Sequence, residues 1–269
     1  MTPDLTLRPL SSERDYEACI ALQQATWGDD FRELVPPAML QITQKVGGIA
    51  AGAFDGDRLV GFVYGLTGIE AGRPVHWSHM LAVDERLRDH GIGRRLKQYQ
   101  RDRLAALGVE RMYWTFDPLV ARNAHLNLMV LGTRVVEYAR DMYGENPMSR
   151  TDSVIGSDRF VVAWDLHPTT PQPGEQRRTA ADKGEPPNRA TAQPLVSSDL
   201  DPLPDAPSVL VAIPADIQAL KRANPEAAIA WRRSTRRAFE HYLKRGYAVR
   251  GVGPREVGEG SCYLVERLA

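Results

Sequence analysis

The sequence has little cysteine, no excess charge of either sign and no long apolar run. Its two cysteines, Cys19 and Cys262, lie far apart and without a metal-binding spacing, so we expect two reduced thiols in a cytoplasmic protein and no metal site. Lysine plus arginine and aspartate plus glutamate both total 34, which predicts no nucleic-acid partner. No apolar run approaches the length of a membrane span, and the first residues lack the apolar core of a secretory signal, so we expect no membrane association.

The most informative segment runs from His79 to Leu96. It reads as an apolar strand ending at Asp84, a glycine-rich loop and the start of a helix. Gly91 and Gly93 let an anion approach the backbone, and a helix N-terminus offers it N–H groups and partial positive charge. The dinucleotide fingerprint would need a third glycine where Leu96 stands, and the P-loop would need a Gly-Lys-Ser/Thr sequence, which is absent.

Hydrophobic periodicity and turn signals predict the order β-α-α-β-β-β-α-β-α-β-β for the first part of the chain. Ser11 and Ser12 cap a first helix that runs to about Ala25, and Pro36 and Pro37 open a second one that runs to about residue 46. The predicted strands cover residues 5–8, 48–54, 59–67, 75–83, 109–116, 134–143 and 159–166, and the later helices residues 91–107 and 121–131.

The R-x-x-G-x-G spacing of residues 88–93, the preceding strand and the basic opening of the helix resemble the acyl-CoA loop of the GNAT N-acyltransferases. The order of elements over about residues 3–167 is also that of the GNAT fold. Trp-x-x-Asp-Pro at 114–118 and Asn-Ala-x-Leu-Asn at 123–127 are similar to segments of a little-characterised group of predicted GNAT acyltransferases. The resemblance implies an α/β (α+β) fold with a mixed central sheet and flanking helices.

The resemblance also implies how acetyl-CoA or another acyl-CoA would bind. In GNAT enzymes the strand before the loop bulges and separates from its neighbour, and its backbone bonds the pantetheine arm and the thioester oxygen. The loop holds the pyrophosphate, and the helix after the fifth strand contacts CoA near the thioester. The matching positions are Leu81, Val83, Arg88, His90, Gly91, Ile92, Gly93, Arg94, Asn123 and Asn127.

Acyl transfer to an amine needs a group that accepts the amine's proton. His76 and His79 lie on the strand that leads to the thioester site, and Glu70 precedes it. Strand alternation predicts His79 on the side of Leu81 and His76 on the opposite side. The residues do not decide among the three candidates, and either histidine could instead be structural.

The departing thiolate benefits from a nearby acid that protonates it. The family pattern has a tyrosine four residues before the glycine that ends the helix after the fifth strand, and here that position is Leu128. Tyr242, four residues before Gly246, is an alternative from the C-terminal part. Asp117, at the end of the fifth strand, could orient a cationic amine or cap the following helix.

The composition suggests three parts: a GNAT domain over 1–167, a linker or arm over 168–207, in which nine of forty residues are proline, and a C-terminal α/β segment over 208–269. The last part reads strand–helix–strand–strand. It resembles a degenerate half of a GNAT fold, or else it is an α/β cap of other origin. It could support a homodimer. We expect the arginines of 232–237 to form a solvated helix face.

These observations favour an acyl-CoA-dependent N-acyltransferase. It would move an acetyl or succinyl-like group to a primary amine, a small molecule or amino acid, by direct attack. The alternative is a catalytically weak acyl-CoA-binding sensor or interaction module, since the usual tyrosine is missing from the first domain.

Overall fold

The computed structural model describes residues 5–29, 31–144, 155–166, 195–196, 202–255 and 259–268. Of the proline-rich segment predicted over 168–207, only residues 195–196 and 202–207 fall within these ranges. Among the residues that the structure describes, no helix is both long enough and apolar enough to cross a bilayer.

The first eleven elements follow the predicted order. They are β1 Thr6–Pro9, α1 Glu13–Trp27, α2 Pro37–Lys45, β2 Ile49–Asp55, β3 Arg58–Glu70, β4 Arg73–Val83, α3 Ile92–Ala106, β5 Arg111–Phe116, α4 Ala121–Ala124, β6 Arg134–Ala139 and β7 Arg159–Asp165. A 3₁₀ turn over Glu85–Leu87 precedes α3, and α4 continues as a π-helical segment over His125–Val130. The sequence had predicted one regular helix over 121–131.

The C-terminal part contains β8 Leu195–Val196, β9 Ser208–Ile213, α5 Ile217–Ala223, α6 Pro225–Lys244, β10 Tyr247–Pro254 and β11 Ser261–Arg267. Strands β10, β11, β9 and β8 form a four-stranded sheet in that order. The strands predicted over 247–252 and 261–267 and the long helix from Pro225 are therefore present.

The larger sheet has seven strands in the order β1-β2-β3-β4-β5-β7-β6. The pairs β1–β2, β2–β3, β3–β4 and β6–β7 are antiparallel, whereas β4–β5 is parallel. A mixed sheet flanked by helices confirms the predicted fold class.

Contacts divide the chain into two compact units. The first contains Met1–Trp114 and Trp164–Thr169, and the second contains Thr115–Ala163 and Thr170–Ala269. Residues 115–163 thus group with the C-terminal segment, whereas the sequence placed a boundary at residue 167.

Local signals explain the start of the first unit. Ser12 caps α1 in a capping box with Asp15, and the Asp15 carboxylate also accepts hydrogen bonds from Arg8. Pro37 stands in the first turn of α2, and Gly56 turns the β2–β3 hairpin with a φ of +57°. The buried core beside α1 and α2 consists of Leu10, Tyr16, Cys19, Val35, Leu40, Ala50, Phe54, Leu59, Phe62, Tyr64, Met80 and Ala82.

In the second unit, α6 packs its apolar face against aromatic side chains from β7 and β11. The ring centroids of Phe239 and Phe160 are 4.6 Å apart, and those of Phe239 and Tyr263 are 5.3 Å apart. The Tyr263 hydroxyl donates a 2.7 Å hydrogen bond to the Pro118 carbonyl. The C-terminal segment therefore shares a core with residues 115–163.

Candidate active site

A bulge interrupts β4 where the family resemblance implied one. Tyr64 of β3 pairs with Met80, and its neighbour Gly65 pairs with Ser78, so His79 is the extra residue. An extra residue in one strand bends it and redirects the side chains that follow. The implied bulge is confirmed, and it lies at His79.

The bulge also shows that the expected alternation of side chains was wrong. Ser78 and His76 face α3, where they contact Lys97 and Gln100. Beyond the bulge Leu81 faces α3 as well, since a Cβ at Gly93 would lie 3.4 Å from its Cδ2.

His79 lies on the other side of the sheet. Its ring centroid is 6.3 Å from that of Tyr64, which belongs to the core beside α1 and α2. His76, not His79, therefore shares a face with Leu81, because one inserted residue reverses a pattern of period two.

Strands β4 and β5 pair over only three positions, Val75↔Arg111, His76↔Met112 and Trp77↔Tyr113. From Ser78 to Val83, the described part of the chain offers β4 a partner only on the β3 side. The implied separation of the two strands is thus confirmed. It leaves backbone N–H and C=O groups of β4 unpaired along one edge, where an extended ligand can bind them.

The glycine loop is open at its turn. Gly91 is exposed, has a φ of +75°, and a Cβ placed on it would meet no atom within 4 Å. The first backbone hydrogen bond of α3 runs from Arg95 N to Gly91 O at 3.0 Å. The amides of Ile92, Gly93 and Arg94 precede that bond and are available to an anion.

Two arginines flank this turn, and one of them, Arg88, lies 3.8 Å from the Glu85 carboxylate. Arg88 is tied to the end of β4 by a 3.4 Å bond from Nε to the Val83 carbonyl, and Arg94 is exposed. His90 Nδ1 lies 2.8 Å from the Arg88 carbonyl. Asp84 is neutralised by an ion pair with Arg58. The loop can therefore attract phosphate without a competing carboxylate at Asp84.

His76 is enclosed in the first unit and fully buried. Its Nδ1 lies 3.0 Å from Thr67 Oγ1, and its Nε2 lies 2.9 Å from Gln100 Nε2. Burial, together with the nearby Lys97, lowers the pKa of His76 to about 3. With both ring nitrogens engaged, His76 has the contacts of a structural residue.

His79 differs in each respect. It is half-buried, and within the described ranges no hydrogen bond engages its ring nitrogens. Burial lowers its pKa, against an opposing effect of the Glu33 charge, so the imidazole is neutral at neutral pH. A neutral imidazole with an available nitrogen at the bulge suits proton acceptance.

Glu70 lies elsewhere on the strand pair. It pairs with Arg73, six residues before His79, which is about 20 Å along an extended strand. Its carboxylate accepts a 2.7 Å hydrogen bond from the Tyr113 hydroxyl. The structure therefore does not bring Glu70 next to the bulge.

The remaining candidates belong to the second unit. Asp117 Oδ1 accepts from Leu119 N at 2.9 Å and Oδ2 from Arg232 at 2.8 Å, so both oxygens have protein partners. Asn127 is buried on the π-helical segment and donates from Nδ2 to the Asn123 carbonyl at 2.8 Å. The roles assigned to Asp117, Asn123 and Asn127 stay predictions.

Tyr242 is also engaged within the second unit. It is buried, and its hydroxyl donates a 2.9 Å hydrogen bond to the Pro204 carbonyl. Burial raises the pKa of its phenol to about 12. Tyr242 as the acid stays a prediction that would require this hydrogen bond to break.

Sequence reasoning missed three buried or charged groups. Lys97 is buried on α3, the Glu33 charge acts on His79, and Arg232 is buried rather than part of a solvated face. Arg236 is likewise bound, at 2.7 Å from Asp141. No cluster of three or more His, Cys, Asp or Glu residues able to hold a metal occurs among the described residues.

The parted β4 and β5 strands, the bulge and the open glycine turn are features that the family resemblance implied. Residues 16–126 match the profile of the Acetyltransferase (GNAT) family. The chain is therefore similar to the GNAT acetyltransferases over these residues.

Several solved structures resemble the chain at low sequence identity. The NatC complex bound to Gag peptide and CoA is 15% identical, with 61% of this chain and 99% of that chain covered and a TM-score of 0.49. Arabidopsis thaliana Naa50 in complex with the bisubstrate analogue CoA-Ac-MVNAL is 16% identical, with 60% of this chain and 98% of that chain covered and a TM-score of 0.47. An aminoglycoside 6'-N-acetyltransferase complexed with coenzyme A is 16% identical, with 62% of this chain and 99% of that chain covered and a TM-score of 0.47. No curated protein matches the sequence significantly.

Proposed function

We propose that the protein transfers an acetyl group from acetyl-CoA to a primary amine by direct attack. The same reaction could transfer a succinyl-like group from the corresponding acyl-CoA. The observation that carries this proposal is the open turn at Gly91, which aims the first amides of α3 outward beside the unpaired edge of β4.

The residues present fit a CoA thioester. The amides of Ile92, Gly93 and Arg94, with Arg88 and Arg94 nearby, would hold the pyrophosphate. The backbone of Leu81 and the amide of Val83 would bond the pantetheine arm, with the thioester near the bulge. CoA supplies the activated acyl group. The chain supplies donors that orient the thioester and stabilise the charge that develops on its oxygen.

We assign the proton acceptor to His79 rather than His76 or Glu70. His79 sits at the bulge with an available nitrogen, whereas His76 is enclosed and Glu70 is about 20 Å away along the strand. His79 would take a proton from the attacking amine directly or through water. The Glu33 charge near His79 would favour an acceptor that arrives as an ammonium ion, such as a small-molecule amine or an amino acid.

A second candidate, an acyl-CoA-binding sensor with weak turnover, is favoured by one observation. Leu128 stands where the family tyrosine is expected and is buried, and the Tyr242 phenol is already hydrogen-bonded to Pro204. A thiol is acidic enough to leave without a dedicated acid, and for this reason we prefer the enzyme.

Calorimetry with CoA and acetyl-CoA, combined with a thiol-release assay over a panel of amines and amino acids, tests both candidates. Binding together with amine-dependent thiol release supports the enzyme. Binding without release for any acceptor supports the sensor, and absence of binding contradicts both. A cytoplasmic location and a homodimer through residues 208–269 remain predictions, and the measured mass in solution tests the latter.

A further inference from the structure

One buried side chain contacts both strands at the point where they part. The last pair between β4 and β5 is Trp77↔Tyr113, so Ser78 and Trp114 are the first residues beyond it. Lys97 reaches both from α3. Its Nζ lies 2.7 Å from Ser78 Oγ and 3.9 Å from the centroid of the Trp114 ring.

The location is costly for a lysine. Lys97 is only 6% exposed, and burial lowers its pKa well below the usual value. The amine donates to Ser78 and directs a second N–H toward the face of the indole ring in either protonation state. A methionine of similar length would fill the same space without burying a polar group.

Neighbouring contacts fix Trp114 in turn. Trp114 packs edge-on against Trp164, with ring centroids 6.0 Å apart. Arg101, one helical turn after Lys97, lies 5.3 Å from the Trp164 ring. One face of α3 thus contacts the β4 strand through Ser78 and the β5 strand through Trp114, at the position where the two strands part.

Polar atoms without partners accompany this packing. Gln100 Oε1 and Arg101 Nε are buried and make no hydrogen bond among the described residues. Unsatisfied buried polar atoms oppose folding, so apolar residues would pack this helix face more stably. The arrangement is more easily explained by the geometry it imposes on β4 and β5 than by stability.

We propose that Lys97 is a positioning residue, which holds Ser78 and Trp114 apart and so sets the width of the opening between β4 and β5 that receives the acyl-CoA arm. The inference rests on the proposed function, because it assigns a role in that same site. Lys97 touches no reacting atom. It acts by keeping the unpaired edge of β4 in place before the ligand arrives, which lowers the ordering cost of binding.

The test compares Lys97→Met with Ser78→Ala, using Lys45→Met as a matched control at an exposed lysine of the same unit. We expect Lys97→Met to melt at an equal or higher temperature while its affinity for CoA falls about tenfold. The KM for acetyl-CoA should rise to a similar extent, with kcat changed less than twofold. Ser78→Ala should weaken binding about threefold, and Lys45→Met should leave it unchanged.

In Lys97→Met the stability should stay or rise while the affinity for CoA falls, and this distinguishes a positioning residue from a merely structural one. Loss of a merely structural residue would lower both the stability and the affinity. Since Lys97 and Ser78 share one contact, the double variant should bind CoA no more weakly than Lys97→Met alone. Unchanged affinity in Lys97→Met would overturn the inference. So would a loss of affinity that accompanies a lower melting temperature and is absent from Ser78→Ala. If the wild-type protein itself binds no CoA, the proposed function fails instead.

Discussion

Asp117 and Arg232 form an ion pair in the second unit, with 2.8 Å between Oδ2 and Nη2, although 115 residues separate them in the sequence. The Arg232 side chain is 2% exposed, and that of Asp117 is 13% exposed. Arg232 Nε and Nη1 are buried without partners among the described residues. The pair joins the end of β5 to α6, which explains why residues 115–163 group with the C-terminal segment.

Replacing one partner of this pair should destabilise the protein more than replacing both. Arg232→Met leaves the Asp117 carboxylate without its cation, and we expect a loss of about 3 kcal/mol in the free energy of unfolding. The double variant Arg232→Met/Asp117→Asn should lose clearly less free energy of unfolding than Arg232→Met. Urea unfolding of the four proteins measures the cycle, and simple additivity of the two single changes would argue against a coupled pair.

His76 predicts a pH-dependent effect on stability. Its pKa is about 3 in the folded protein and 6.5 in the unfolded chain, so between these values only the unfolded chain binds the proton. The wild-type protein therefore loses stability through His76 as the pH falls below 6.5. His76→Gln removes this loss, and its destabilisation relative to wild type should be smaller at pH 4.5 than at pH 7.5. An equal difference at both values would refute the buried neutral histidine.

Lys97 predicts an effect of the same sign at higher pH. Because burial lowers its folded pKa well below 10.5, the unfolded chain binds a proton that the folded protein does not as the pH falls from 10.5. Lys97→Met should thus gain more stability over wild type at pH 7 than at pH 10. Chemical unfolding at the two pH values checks this, and a gain that is larger at pH 10 would contradict it.

His79 as proton acceptor predicts the shape of the rate profile. Because the pKa of His79 is lowered, activity should persist below pH 6.5 and fall only at more acidic pH, as the imidazole gains its proton. His79→Gln should reduce kcat roughly a hundredfold and remove this acidic limb. Initial rates measured across pH give both readouts. If His79→Gln still loses activity at acidic pH as the wild type does, another group is the base.

Much of the fold could be predicted because its signals are local. The cap at Ser12 and the proline at position 37, in the first turn of α2, each act within a few residues. The open turn at Gly91 belongs to the same class. These signals were enough to place the glycine-rich loop between β4 and α3.

The rest depends on contacts that a single sequence does not reveal. The bulge at His79 is a property of pairing with β3, and it reversed the side-chain directions inferred from alternation. Lys97 and Gln100 lie on the buried stripe of α3 that ends at Leu104, and this helical spacing is the one signal in the sequence that marks them as buried. The Asp117–Arg232 pair joins positions too distant for pattern reasoning.

The most direct test of the central claim compares two glycines at opposite ends of α3. Gly91 has a φ of +75° and Gly108 a φ of +77°, and a Cβ at either would meet no atom within 4 Å. Replacing either with alanine should therefore cost a similar amount of stability, about 1 kcal/mol.

Only Gly91 lies at the helix N-terminus where a diphosphate would approach the backbone. Calorimetry with CoA should show at least tenfold weaker binding for Gly91→Ala and wild-type affinity for Gly108→Ala. Equal affinities in the two variants would contradict the account.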